Sequence, residues 1–133
     1  MQRVVICDID GVLLTIPNWN RLEDFYMRLD ECVPQDWAVH IIKGLHKQGL
    51  KIIFLTARDS KCRGYTQYQL QQLFDFPIHL DMRLHDDLRT DTEVKEDYIK
   101  EYLEKYKILL CIDDNINNCE MYKRYGLPTL HVK

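Results

Sequence analysis

The chain has 133 residues, 46% of them hydrophobic, and a formal net charge of −3. That is enough apolar material for one domain with its own core, and no shift of composition marks a second, so a single domain over 1–133 is expected. The slight negative charge excludes a general attraction for nucleic acid, which leaves a local cationic cluster as the only way to grip a phosphate-rich partner.

Short apolar runs recur at 4–7, 51–55, 78–80, 108–112 and 129–132, with helical periodicity between them. This pattern predicts an α/β fold: a parallel five-stranded sheet with crossover helices on both faces. The first helix is expected over 34–48, with Pro34 in its first turn and Gly49 as its stop, and a second over 63–74. The clearest helix covers 93–106, where Val94, Tyr98, Tyr102, Leu103 and Tyr106 form one apolar stripe and Thr90-x-x-Glu93 has the form of a capping box. A fourth spans 115–125 and stops at Gly126 and Pro128. Segment 13–32 reads as a small flap, with a loop at 17–20 and a short helix over 21–29.

Cys7, Cys32, Cys62, Cys111 and Cys119 are odd in number and lack C-x-x-C spacing, which predicts reduced thiols in a cytoplasmic protein. Strand-like sequence from Arg3 leaves no room for a signal peptide, and no stretch approaches the ~20 apolar residues of a membrane span.

The first apolar run ends in Asp8-Ile9-Asp10-Gly11. Alternation turns both aspartates to one side of an extended backbone, where like unit charges ~4 Å apart repel by roughly 4 kcal/mol at an effective dielectric of ~20. Such a pair needs a proton, a metal or a basic partner. Polar groups also follow two other strands, Thr56-Ala57-Arg58 and Asp113-Asp114-Asn115, and ligands of open parallel sheets bind at such carboxyl ends. Taken singly each has a plain reading: Asp113-Asp114-Asn115 as a helix cap, Thr56-Ala57-Arg58 as a turn with a surface charge, and Lys95, in a first helical turn where the macrodipole disfavours a cation, as a solvated lysine. Their coincidence describes a pocket with an acidic half and an anion-binding half. The chain has neither a P-loop nor the Cys-x₅-Arg spacing of cysteine phosphatases.

Asp8-Ile9-Asp10-Gly11, Leu55-Thr56-Ala57-Arg58, Lys95 and Ile112-Asp113-Asp114, in that order, resemble the four motifs of the haloacid dehalogenase (HAD) superfamily of phosphohydrolases. Arg83, Asp87, Arg89, Asp91 and Lys95 are further spaced as in the phosphatase domain of bacteriophage polynucleotide kinase/3′-phosphatase, whose kinase half has no counterpart here. The resemblance implies a three-layer Rossmann-like HAD fold with a small flap and no large cap domain. It implies that Asp8 attacks phosphorus to form an aspartyl-phosphate, that Asp10 protonates the leaving oxygen and then activates water, and that Thr56 and Lys95 bind the transferring phosphoryl group. Mg²⁺ is expected on Asp8, the main-chain carbonyl of Asp10, Asp113 and Asp114. A phosphate dianion ~4 Å from one carboxylate is opposed by roughly 8 kcal/mol at the same dielectric, so attack by Asp8 needs both cations.

Arg58, Arg83, Arg89 and Asp91 are the expected substrate-binding residues, with the reservation that Arg83 and Arg89 are equally well placed to pair with Asp86, Asp87 and Asp91 in a structural network. Removal of Asp8 or Lys95 is expected to abolish turnover without affecting folding. The implied function is removal of 3′-phosphates from DNA or RNA ends, with a 3′-phosphorylated nucleic-acid end or nucleotide as the partner; a nucleotidase or small-metabolite phosphatase and a non-catalytic phosphate-binding regulator are the rival readings. Self-association, or a separately encoded kinase or ligase partner, is open. Two positions depart from the resemblance: Val12 stands where many relatives carry threonine, and Trp19 falls where the phage domain has a functional arginine, with Arg21 the nearest alternative.

Overall fold

In the computed structural model, residues 1–20 and 24–133 are described. The elements are β1 (Gln2–Cys7), β2 (Leu14–Thr15), a 3₁₀ helix (Phe25–Glu31), β3 (Val33–Pro34), α1 (Asp36–Lys47), β4 (Lys51–Asp59), a short 3₁₀ turn (Ser60–Cys62), α2 (Arg63–Leu73), β5 (His79–Arg83), α3 (Asp91–Lys105), β6 (Tyr106–Asp113), α4 (Ile116–Arg124) and β7 (Thr129–His131). Five strands form one parallel sheet in the order β5-β4-β1-β6-β7. The chain builds outward from β1 to β5, then crosses back to lay β6 on the other side of β1. The strand order therefore reverses between β1 and β6, the place where an open α/β sheet leaves a crevice.

Strand alternation sorts the core into two layers. Val5, Cys7, Ile52 and Phe54 face α1 and α2 through Ala38, Val39, Ile42 and Leu70. Val4, Ile6, Ile53 and Leu55 face α3 and α4 through Ile99, Tyr102 and Met121. Both faces of the central strands are thus buried, which is why they read as unbroken apolar runs. The expected three-layer α/β architecture with a small flap is the one found, and among the described residues no helix is long and apolar enough to cross a membrane.

Several boundaries differ from expectation. Pro34 closes β3 rather than opening a helix: it pairs with Leu14 in a two-residue antiparallel ladder that forms the stem of the flap, and an edge strand tolerates its missing donor. Helix α1 begins at Asp36, and Gln35 provides no side-chain cap, because its amide donates instead to the carbonyls of Gly11 and Val12 at 3.1 and 2.8 Å. Of the expected flap helix over 21–29, residues 21–23, including Arg21, lie outside the described residues, and from Phe25 onward the backbone is 3₁₀.

Strand β4 runs through Thr56-Ala57-Arg58 to Asp59, so this motif lies inside the strand, across a break in its register with β5. The Thr90–Glu93 capping box is present, and it starts α3 at Asp91, which puts Lys95 in the second turn. Tyr106 leaves the helix to pair with Gln2. The buried face of α3 is Val94, Lys95, Ile99 and Tyr102, so it includes Ile99, which the expected stripe lacked, and not Leu103, which the stripe contained. Ile99 is fully buried whereas Leu103 is only partly covered. Ile99→Ala is accordingly expected to cost about 2–5 kcal/mol and Leu103→Ala less than half as much, read as lower urea midpoints at unchanged slope.

Candidate active site

Strands β1 and β6 end side by side, and the first residue beyond β1 is tied to its neighbour by a bond from Asp8 N to the Ile112 carbonyl, 2.9 Å long. This register brings the carboxylates of Asp8 and Asp113 to the same end of the sheet. Lys95 enters from α3 and bridges them: its Nζ donates to Asp8 Oδ1 at 3.0 Å and to Asp113 Oδ2 at 2.8 Å. All three are buried, Lys95 with only 2% of its surface exposed. Asp113 is also the acceptor for Asn118 Nδ2 at 3.2 Å, Tyr122 Oη at 2.9 Å and the Asn115 backbone N–H at 3.0 Å.

Burial disfavours charge on Asp113, but Lys95 and these donors hold its carboxyl below the usual range. Asp8 goes the other way. Burial first, then Asp113, Asp10 and Asp114, push it well above the usual carboxylate range in spite of Lys95. Lys95 itself is held in its charged form by Asp8, Tyr122 and Asp113 against the opposing effect of burial.

The second aspartate of the N-terminal motif has a separate cation. Arg58 donates from Nε and Nη2 to the two oxygens of Asp10 at 2.9 and 2.7 Å, a bidentate pair of the strong kind. Arg58 is 3% exposed, and its Nη1 is held from α2 by Thr66 at 3.1 Å and Gln69 at 2.7 Å. The repulsion expected between Asp8 and Asp10 is thus met by two cations from different elements. Thr56 is buried on the cavity wall, its hydroxyl oxygen accepting from Arg58 N, which leaves the hydroxyl proton available to a phosphoryl oxygen.

Asp114 completes the acidic face. Gly11 has φ +83°, and a Cβ there would lie 1.9 Å from Asp114 Oδ2, so glycine is required twice over, for its backbone and for the carboxylate beside it. One carboxylate oxygen from each of Asp8, Asp113 and Asp114 lies within 4.8 Å of the others. Burial raises the Asp114 carboxyl as well, partly offset by hydrogen bonding to Asp8. Three carboxylates with Lys95 as their buried cation are short of positive charge. An all-oxygen set of this size suits a hard divalent ion such as Mg²⁺ that retains several waters.

The remaining arginines lie outside this cluster. Arg83 donates to the carbonyls of Ala57, Asp87 and Arg89 and to the Asp91 carboxylate, bracing loop 84–90. Arg89 pairs with Asp87 and Asp97, and it holds the Asp87 carboxyl down at about 2. Asp91 lines the cavity beside Lys95. Sequence reasoning passed over Asn118, Tyr122, Thr66, Gln69 and Gln35. Asn118 and Tyr122 are four residues apart on the helix that follows the acidic pair, and that spacing is the one signal that both face Asp113.

Compared with protein families, residues 2–133 match the one described as the polynucleotide kinase PNKP phosphatase domain. A structure solved as the Pnkp1/Rnl/Hen1 RNA repair complex and one solved as the Pnkp1/Rnl/Hen1 complex superpose on 99% of the chain at 26% identity, with TM-scores of 0.82 and 0.85. The chain spans 42% and 45% of the length of those chains. A class C acid phosphatase from Bacillus anthracis, at 15% identity and TM-score 0.59 over 88% of this chain and 53% of its own, shares the fold. No curated protein is matched by sequence. The chain belongs to the polynucleotide kinase PNKP phosphatase domain family and is a HAD-type phosphatase.

Proposed function

We propose that this domain removes the 3′-phosphate from nucleic-acid ends, in the service of strand repair. The observation that carries the reading is the convergence of Asp8, Asp10, Thr56 and Lys95 on one cavity with Asp113 and Asp114, in a chain of this family. The two relatives in an RNA repair complex favour RNA as the polymer, and they support a separate repair partner for this chain.

In the first step a carboxylate oxygen of Asp8 bonds to phosphorus as the bond from phosphorus to the 3′ oxygen breaks, and the Asp10 carboxyl gives its proton to that oxygen. In the second, Asp10 takes a proton from water; the hydroxyl oxygen bonds to phosphorus, the acyl-phosphate bond breaks, and Asp8 and inorganic phosphate are released. Lys95 and Thr56 donate to the phosphoryl oxygens throughout. Arg58 fits better as the anchor that orients Asp10 than as a phosphate ligand, since its donors are already engaged. Arg83, Arg89 and Asp91 support the loop beside the cavity. Asp8, Asp113, Asp114 and the Asp10 carbonyl are the residues that would hold Mg²⁺, which supplies charge neutralisation for the incoming phosphate.

A 3′-phosphorylated oligonucleotide should release phosphate in the presence of Mg²⁺ and not after chelation, and more efficiently than 5′-mononucleotides do. Preference for the mononucleotides would overturn the repair reading. Mg²⁺ alone should also raise the melting temperature, by an amount equivalent to about 2.7 kcal/mol at a hundredfold excess over its dissociation constant, and less in Asp113→Asn.

The two cluster residues should separate activity from stability. Asp8→Asn removes a carboxylate that burial already disfavours, so it should lose at least about 10³-fold in activity while melting at or above the wild-type temperature without metal. Lys95→Ala leaves Asp113 buried without its cation and should lose about 3–5 kcal/mol as well as activity. This replaces the expectation that the lysine variant folds normally.

A further inference from the structure

The cavity measures about 780 Å³, the size of a pocket that encloses a whole small molecule rather than one phosphate group. Its acidic end is the phosphate-processing cluster. Another part of its lining comes from the flap and is aromatic: Trp19, Phe25 and Tyr26. The rings support one another edge to face, Trp19 on Phe25 with centroids 5.5 Å apart and Phe25 on Tyr26 at 5.8 Å. Phe25 lies over the Arg58 guanidinium at 5.6 Å, and Tyr26 Oη accepts a bond from the Asp59 backbone, so the row is fixed to the end of β4. Yet Trp19 remains 39% exposed and Tyr26 38% exposed. Large rings left partly open at a polar cavity leave apolar area in water, which a flat ligand would cover.

The three arginines expected to grip neighbouring phosphates donate within the protein, to Asp10, to loop carbonyls and to Asp87, Asp91 and Asp97. A polymer end therefore needs another hold. We infer that Trp19, with Tyr26 beside it, is a stacking ledge for the terminal nucleobase of a single-stranded 3′ end, which seats the 3′-phosphate against Asp8. Lys61, whose Nζ lies 5.2 Å from the Tyr26 ring centroid, is a cation beside the ledge for the next phosphodiester. Stacking of this kind is tolerant of sequence, because every base has a π face. It also requires an unpaired terminal base, as proteins that read RNA ends and loops do.

This inference rests on the proposed 3′-phosphatase reading, and two measurements keep their failures apart. The first compares a 3′-phosphorylated single strand with the same strand lacking its terminal base. Wild-type KM should be about 5- to 100-fold lower for the strand with the base, at similar kcat. Trp19→Ala should close that gap and Trp19→Phe should restore most of it. Equal KM for the two strands in the wild type, or a Trp19→Ala variant that loses kcat on both alike, overturns the ledge. The second measurement needs no turnover: in an Asp8→Asn, Trp37→Phe protein, where Trp19 is the remaining tryptophan, the base-bearing strand should quench its fluorescence and the abasic strand should not. Quenching without phosphatase activity in the wild type would sink the activity and keep the ledge; equal responses to both strands would sink the ledge alone.

Discussion

The Lys95 ammonium between Asp8 and Asp113 is the interaction on which the site depends. It is formed at the one position where the sheet brings two strand ends of opposite build direction together, β1 and β6, with α3 lying over both. A buried carboxylate without a cation is not a stable feature of a protein. Lys95 satisfies Asp113 in full, together with Asn118, Tyr122 and the Asn115 amide. What is left over falls on Asp8, and the opposite displacements of the two carboxyls follow from this unequal division. The carboxylate left short of positive charge is the one that the proposed mechanism would bring against phosphorus.

The same economy of charge explains the second half of the site. Asp10 follows Asp8 by two residues, but it leans on β4 and α2 through Arg58, Thr66 and Gln69 rather than on α3. Gln69 also donates to the Leu29 carbonyl at the end of the flap's 3₁₀ helix. Gln35 clamps the loop after Asp10 from the start of α1. The two aspartates of one short motif are therefore held by different layers of the fold, and their geometry is set by side chains far away in sequence.

Much of this was legible in the sequence, and the limits have physical causes. Apolar runs found all five strands of the main sheet because both faces of each central strand are buried. The motif order found the residues at its carboxyl edge. Pro34 misled because a proline suited to a first helical turn suits an edge strand equally, and the Leu14–Thr15 ladder that decides between them is two residues long. Tyr106 and Leu103 fitted a helical stripe, but pairing with Gln2 claims Tyr106 for β6, and the strand it starts sets which face of α3 is covered. The arginines show the deeper limit. Charge and spacing identify Arg58, Arg83 and Arg89, whereas the partner each one selects is fixed by tertiary contacts with Asp10, with the 84–90 loop and with Asp97.

The inward turn of those arginines bears on how the domain would meet the polymer proposed as its substrate. A chain with net charge −3, with Arg58, Arg83 and Arg89 paired internally, offers little long-range attraction to a strand, so selection in the proposed reaction would occur by contact near the reacting phosphate. In the proposed reaction the acidic cluster would take a divalent ion and one phosphoryl group. The flap wall offers flat apolar area, with Lys61 beside Tyr26. A broad basic groove would hold any stretch of nucleic acid along its length, and a phosphatase that acts on ends, as proposed for this domain, would gain nothing from that. An aromatic patch lining the same cavity as an acidic cluster instead suits the proposed substrate, since a phosphomonoester and an unpaired base occur together at a strand terminus.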